Sequence, residues 1–181
     1  MTKRKPKLFQ ETELLNYAVR ALGGRAHSTG ELREKLRRRA ERAEDIDVVL
    51  AKLKDIGYLD DRRFAENYAA SRLENQGLGK MRVLRDLRQR RVAPQLAEQV
   101  TAKTYQETDE AVLIEEFLKK KYRGKKMGEF LADEKNLAAA YRRLRYAGFA
   151  AGASIRVLKR YAKQAEELEA LEVEEPGEAE G

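Results

Sequence analysis

The chain reads as an all-α protein: about nine helices in three tandem three-helix repeats, forming an elongated, curved body that ends in a disordered acidic tail. Three observations predict this. Leu, Ala, Arg, Lys and Glu dominate, with three Pro and no Cys or Trp, which is a helix-forming composition. No stretch of alternating Val, Ile and Thr competes for strand. The apolar pattern also recurs, since adding 51 to Tyr17, Leu22 and Leu36 reaches Tyr68, Leu73 and Leu87.

In chain order, a basic N-terminal arm over residues 1–11 precedes the first repeat, 12–59. Leu14, Leu15, Ala18 and Leu22 mark one apolar helical face, and Gly23 with Gly24 ends that helix. Ser28 and Glu31 have the spacing of a capping box that starts the second helix, with His27 and Leu32 placed as a hydrophobic staple. The third helix carries Ile46, Val49, Leu50 and Leu53 and stops at Gly57, where Tyr58 is placed to pack back on Leu53.

The second repeat covers 60–106. Asp60 is expected as the N-cap of its first helix between Leu59 and Phe64, while Asp61 favours the positive helix start. Phe64 and Tyr68 read as core rather than as a stacking platform for bases. Gly77 and Gly79 make the turn into the fifth helix at positive backbone dihedrals, and Pro94 opens the sixth. The third repeat, 107–165, is looser. It runs from Thr108 to Tyr122, breaks at the loop RGKKMG, and resumes over Leu137 to Ala147 and from Ala153 to about Leu171. Leu144, Gly148 and Phe149 repeat the stop of Leu53, Gly57 and Tyr58, and the long loop from Arg123 to Ala132 is either mobile or folded against a partner.

Composition excludes most catalytic chemistry. With no cysteine and only His27, there is no thiol nucleophile, zinc-thiolate site or histidine cluster, so neither a metal, a cofactor nor a catalytic residue is expected. No apolar run approaches the roughly 20 residues of a membrane span, and the start MTKRKPKLFQET lacks a signal-peptide core, which places the chain in the cytoplasm. The charge is uneven. Residues 164–181 hold eight of the 31 acidic residues and no Lys or Arg, so the body sets 38 basic residues against the other 23, a formal +15. Such a body suits an anionic partner.

The strings YAVRAL (17–22), HSTGELREKL (27–36), GYLDDRRFAENYAASR (57–72) and GLGKMRVLRDLRQRRV (77–92) are similar to those of the RecX family, bacterial regulators of the RecA recombinase, and YRRLRYAGF (141–149) resembles its third-repeat signature. This resemblance implies a non-enzymatic negative regulator that lodges in the groove of the RecA filament on DNA and limits filament extension, ATPase and strand exchange.

Composition and spacing contribute the basic helices. The second helix of each repeat is arginine-rich: Arg33, Arg37 and Arg38, then Lys80, Arg82, Arg85 and Arg88, then Arg142, Arg143 and Arg145. Any one of these could belong to a solvated face, but their recurrence predicts a stripe for a RecA groove or for phosphate. Weak, non-specific contact with single- and double-stranded DNA is expected, from a monomer. The alternative is an autonomous, helix-turn-helix-like DNA-binding module. The acidic tail, 166–181, reads either as a solvated end or as a competitor for the basic stripe.

Overall fold

The computed structural model describes residues 8–162 and 165. Ten α-helices form among them: α1 Glu11–Gly24, α2 Thr29–Arg37, α3 Ala43–Asp55, α4 Asp61–Gln76, α5 Lys80–Gln89, α6 Pro94–Thr104, α7 Glu110–Lys121, α8 Met127–Leu131, α9 Glu134–Tyr146 and α10 Ala151–Leu158. The all-α reading holds, and α8 is the helix added to the nine. The only extended pairing among the described residues is one parallel bridge, Phe9 to Ala40. The basic arm before residue 8 and the acidic tail from 166 lie outside the described residues.

Two compact units result, one of residues up to Ala70 with Arg85–Lys103, the other of Ser71–Leu84 with the residues from Thr104 on. In the first, α1 and α2 pack on α3 around Leu14, Ala18, Leu32, Leu36, Val49 and Leu53, all fully buried. The capping box forms as expected. The Ser28 hydroxyl accepts the Glu31 N–H at 3.0 Å, and the Glu31 carboxylate accepts the Ser28 N–H at 3.3 Å. His27 and Leu32 are both buried beside it.

Helix α3 ends in the expected turn, with Gly57 at φ +74° and Tyr58 N–H donating to the Leu53 carbonyl at 2.8 Å. Tyr58 is nonetheless exposed. Leu59, buried and also bonded to the Leu53 carbonyl, supplies the apolar contact because it follows the turn back toward the core. Gly23 and Gly24 do not use the left-handed region: α1 ends as Arg25 turns to extended backbone.

The second unit packs α7 and α9 on α10 around Ile114, Leu118, Leu137, Leu144, Phe149 and Leu158. The loop after Tyr122 is covered by this unit itself. It folds α8, buries Leu131 completely and sets Phe130 against Tyr122 at 4.9 Å between ring centroids. Helix α10 is shorter than expected. It ends at Leu158, after which Arg160 N–H donates to Val157 and Tyr161 N–H to Leu158 in i→i+3 hydrogen bonds, and the expected stretch from 166 to Leu171 lies outside the described residues.

Candidate anion-binding surfaces

The second helices are joined to their neighbours by one recurring junction, seen once in each unit. Helix α5 ends in a glycine-type turn in which Val92 N–H donates to the Leu87 carbonyl at 3.1 Å and Arg91 N–H to Arg88 at 2.8 Å. The Ser28 hydroxyl, at the start of α2, donates to the carbonyl of Arg90 in that turn. In the other unit α9 ends in the same turn, Phe149 N–H to Leu144 at 3.2 Å, and Gly79 N–H at the start of α5 donates to the Ala147 carbonyl at 2.8 Å. Each junction brings backbones close. A Cβ on Gly30 would sit 2.5 Å from the Arg91 carbonyl oxygen, and one on Gly79 would sit 2.3 Å from the Gly148 carbonyl oxygen. Gly79 is thus required by close approach, whereas Gly77, at φ +61°, uses the positive dihedral.

One residue breaks the rule of these turns. The left-handed position is Gly57 in the first and Gly148, at φ +90°, in the last, but in the turn after α5 it is Arg91, at φ +57°. An L-residue there costs roughly 1–2 kcal/mol, which glycine would avoid.

Arg91 lines a cleft of 590 Å³ in the first unit, with Arg25, Lys35, Arg38 and Arg39 as its other cations and Glu31 and Glu34 as its carboxylates. Both carboxylates are already engaged. Glu31 caps α2 and pairs with Arg25 at 3.2 Å and Arg90 at 3.3 Å, while Glu34 takes Arg37 at 3.3 Å and Arg91 at 3.8 Å. Lys35 and Arg39 lie over the Tyr17 ring, at 5.9 and 6.0 Å from its centroid, and Phe9 packs on Tyr17 from the bridge to Ala40. Arg38 is exposed and forms no ion pair among the described residues. His27 also lines the cleft. Its Nδ1 is buried without a hydrogen-bond partner, 3.7 Å from a Glu31 oxygen. Burial, then the charge of Arg25, hold its pKa below the ordinary value, against the pull of Glu31.

The arginines expected as one stripe have different surroundings. On α2, Arg33 turns to Asp47 of α3 at 2.7 Å and Arg37 to Glu34, and only Arg38 lines the cleft. On α5, Arg88 pairs with Glu98 at 2.7 Å and Arg85 is exposed, while Arg82 stacks on Tyr146 at 4.6 Å. Lys80 is exposed at the rim of a second, 260 Å³ pocket whose wall includes Tyr105 and Leu113. The Tyr105 hydroxyl donates to the Leu78 carbonyl at 2.6 Å, and burial pushes its pKa up. On α9, Arg142 is exposed, Arg143 lies 5.4 Å from the centroid of Tyr122, and Arg145 donates to the Phe149 carbonyl at 2.7 Å.

Asp60 caps α4 by accepting Arg63 N–H at 2.9 Å, as its spacing predicts. Asp61 does something the sequence does not suggest: it accepts the Thr29 N–H at 2.6 Å and so caps α2 from another helix. Phe64 and Tyr68 stack at 6.2 Å and are half-buried under Arg90, 4.9 Å from the Tyr68 centroid. Sequence reasoning missed Arg25, Lys35, Arg39 and Arg91 as a group. For Arg91 a signal existed: Leu87, Arg91 and Val92 repeat the spacing of Leu53, Gly57 and Tyr58 with arginine in the glycine's place.

Among the described residues no group of His, Cys, Asp and Glu is arranged to hold a metal, and no helix is long and apolar enough to cross a membrane. Family models described as the first and second three-helix domains of RecX match residues 15–53 and 60–100. A regulatory protein RecX of Deinococcus radiodurans is 41% identical over 100 residues, covering 53% of this chain but only 46% of that protein. RecX proteins of Trichlorobacter lovleyi and Chlorobium phaeobacteroides are each 32% identical, with 66% and 68% of this chain covering 77% and 85% of theirs. The crystal structure of RecX from Lactobacillus salivarius aligns with a TM-score of 0.62 at 17% identity, over 83% of this chain and 96% of that one, a likeness of fold.

Proposed function

The chain belongs to the RecX family of regulatory proteins, and from that premise we propose that it restrains RecA. In this reading it binds in the groove of the RecA–DNA filament and limits filament extension, ATP hydrolysis and strand exchange, without a catalytic residue of its own. The observation that carries the reading is the recurrence of exposed cations on the second helices: Arg33, Arg37 and Arg38 on α2, Lys80, Arg85 and Arg88 on α5, and Arg142, Arg143 and Arg145 on α9. Arginine's planar fork suits both faces of such a partner, since it holds carboxylate or phosphate bidentately.

The test is RecA assembled on single-stranded DNA. Substoichiometric chain lowers DNA-dependent ATP hydrolysis and strand exchange, because one bound molecule acts on many protomers, and a charge-reversed Arg85→Glu, Arg142→Glu variant restores them. Full RecA activity at equimolar folded chain overturns the proposal. Bare DNA is bound weakly and without sequence preference. For about four phosphates neutralised on a single strand, the log–log salt slope is roughly −3. A tight, site-specific, salt-insensitive complex with bare DNA would identify an autonomous DNA-binding module instead.

A further inference from the structure

We propose that the cleft of the first unit is a binding site for a small oligophosphate, the phosphate chain that a nucleoside triphosphate shares with inorganic tripolyphosphate. Three independent features of the cleft point there. Its five cations exceed its two carboxylates by three: Glu31 pairs with Arg25 and Glu34 with Arg91, which leaves Lys35, Arg38 and Arg39 without an ion pair among the described residues. A side chain of an acidic peptide or one phosphodiester brings a single charge, whereas a chain of three phosphates brings three or more in a length that a 590 Å³ cleft accommodates.

The second feature is His27, which lines the cleft with a side chain 5% exposed and a buried Nδ1 that has no hydrogen-bond partner, 3.7 Å from a Glu31 oxygen. Buried polar atoms are nearly always satisfied, and an unsatisfied one behind the wall of a cationic cleft marks a wall whose groups are not fully engaged with one another. The third is Arg91. In the equivalent turns the left-handed position is glycine, and here an arginine is held in that conformation with its side chain at the cleft. Conformational strain retained where glycine would remove it marks a side chain kept for what it contacts.

The proposal stands apart from the regulation of RecA, and its test contains no recombinase. His27 is the only histidine, so its imidazole resonances in the full-length chain are identified without assignment experiments. The chain is titrated with sodium tripolyphosphate, with metal-free ATP, with sulfate at matched ionic strength and with an oligothymidylate, each followed by the His27 ring signals. Tripolyphosphate and ATP shift these signals saturably and compete with each other, and sulfate at equal ionic strength does not. Equal affinities for the two place recognition on the phosphate chain alone. A tighter ATP adds a contact to the nucleoside, and both outcomes support the site.

Arg91→Gly weakens tripolyphosphate binding at least tenfold while raising the melting temperature, a combination that a purely structural arginine would not give. Arg38→Gln, at an exposed position, weakens binding without moving the melting temperature. An absent tripolyphosphate shift, an equal response to sulfate, unchanged affinity in Arg91→Gly, or a response to the oligonucleotide alone each overturns the proposal.

Discussion

Glycines of both units allow the two costs of a side chain, conformational and steric, to be separated. At Gly148 both apply. The backbone sits at φ +90°, and a Cβ would lie 2.1 Å from the Arg82 backbone nitrogen and 2.8 Å from its Cα, atoms that belong to α5 and cannot step aside singly. A left-handed alanine costs about 1–2 kcal/mol, and forcing packed backbones apart adds about 1–3 kcal/mol. Gly148→Ala therefore destabilises by roughly 2–5 kcal/mol. For a chain of this length that lowers the melting temperature by on the order of 10 °C.

The comparison series isolates each part. Gly57, at φ +74° with nothing within 4 Å, carries only the conformational cost, so Gly57→Ala loses about 1–2 kcal/mol. Gly79 has an ordinary φ but would meet the Gly148 carbonyl oxygen at 2.3 Å, so Gly79→Ala loses about 1–3 kcal/mol. Gly152, in α10 with nothing within 4 Å, has neither cost, and Gly152→Ala gains about 0.5–1 kcal/mol from helix propensity. Because Gly79 and Gly148 share one crossing, their double variant costs less than the two single variants together. Urea unfolding of the five variants checks the order. A Gly148→Ala chain as stable as Gly57→Ala would refute the steric argument, and with it the tight seat of α5 on the turn after α9.

Two further outcomes test the first unit. Asp61→Ala removes the acceptor of the Thr29 N–H and costs about 1–2 kcal/mol in urea unfolding, with Asp61→Asn milder; a loss of only a few tenths would mean that Asp61 serves merely as a charge at the start of α4. His27 has its pKa lowered in the fold by burial, then by Arg25, so the unfolded chain binds more protons as pH falls below about 6.5. Stability accordingly falls with pH from about 6.5 until His27 also protonates in the fold. His27→Leu lacks this component, and superimposable pH profiles of the two chains would contradict the burial.

How much of this was readable in advance depended on how far apart in sequence the partners stand. Ser28 and Glu31, Asp60 and Arg63, and the turn from Leu53 through Gly57 join residues within one or two helical turns of each other, where 3.6-residue geometry fixes who meets whom. The repeat at 51 residues was equally legible, because equivalent helices need equivalent apolar faces; Leu36 and Leu87 are both fully buried. The short α8 was not, since the loop that contains it has no apolar period of its own and is ordered by burying Leu131 in a core made elsewhere.

The sequence by itself determined the helices, their caps and their stops, and it identified the arginines without saying where they point. Tertiary structure alone decided that Asp61 caps a helix 32 residues away, that Ser28 meets a carbonyl 62 residues away, and that Arg33 and Arg38 of one helix part company, one toward Asp47 and the other toward a cleft with Arg91. The reason is geometric. Caps and stops are set by backbone torsions within a few residues, whereas the surroundings of a surface arginine depend on which other helix packs beside it, and that choice is made by the apolar faces and the glycine crossings rather than by the arginine itself.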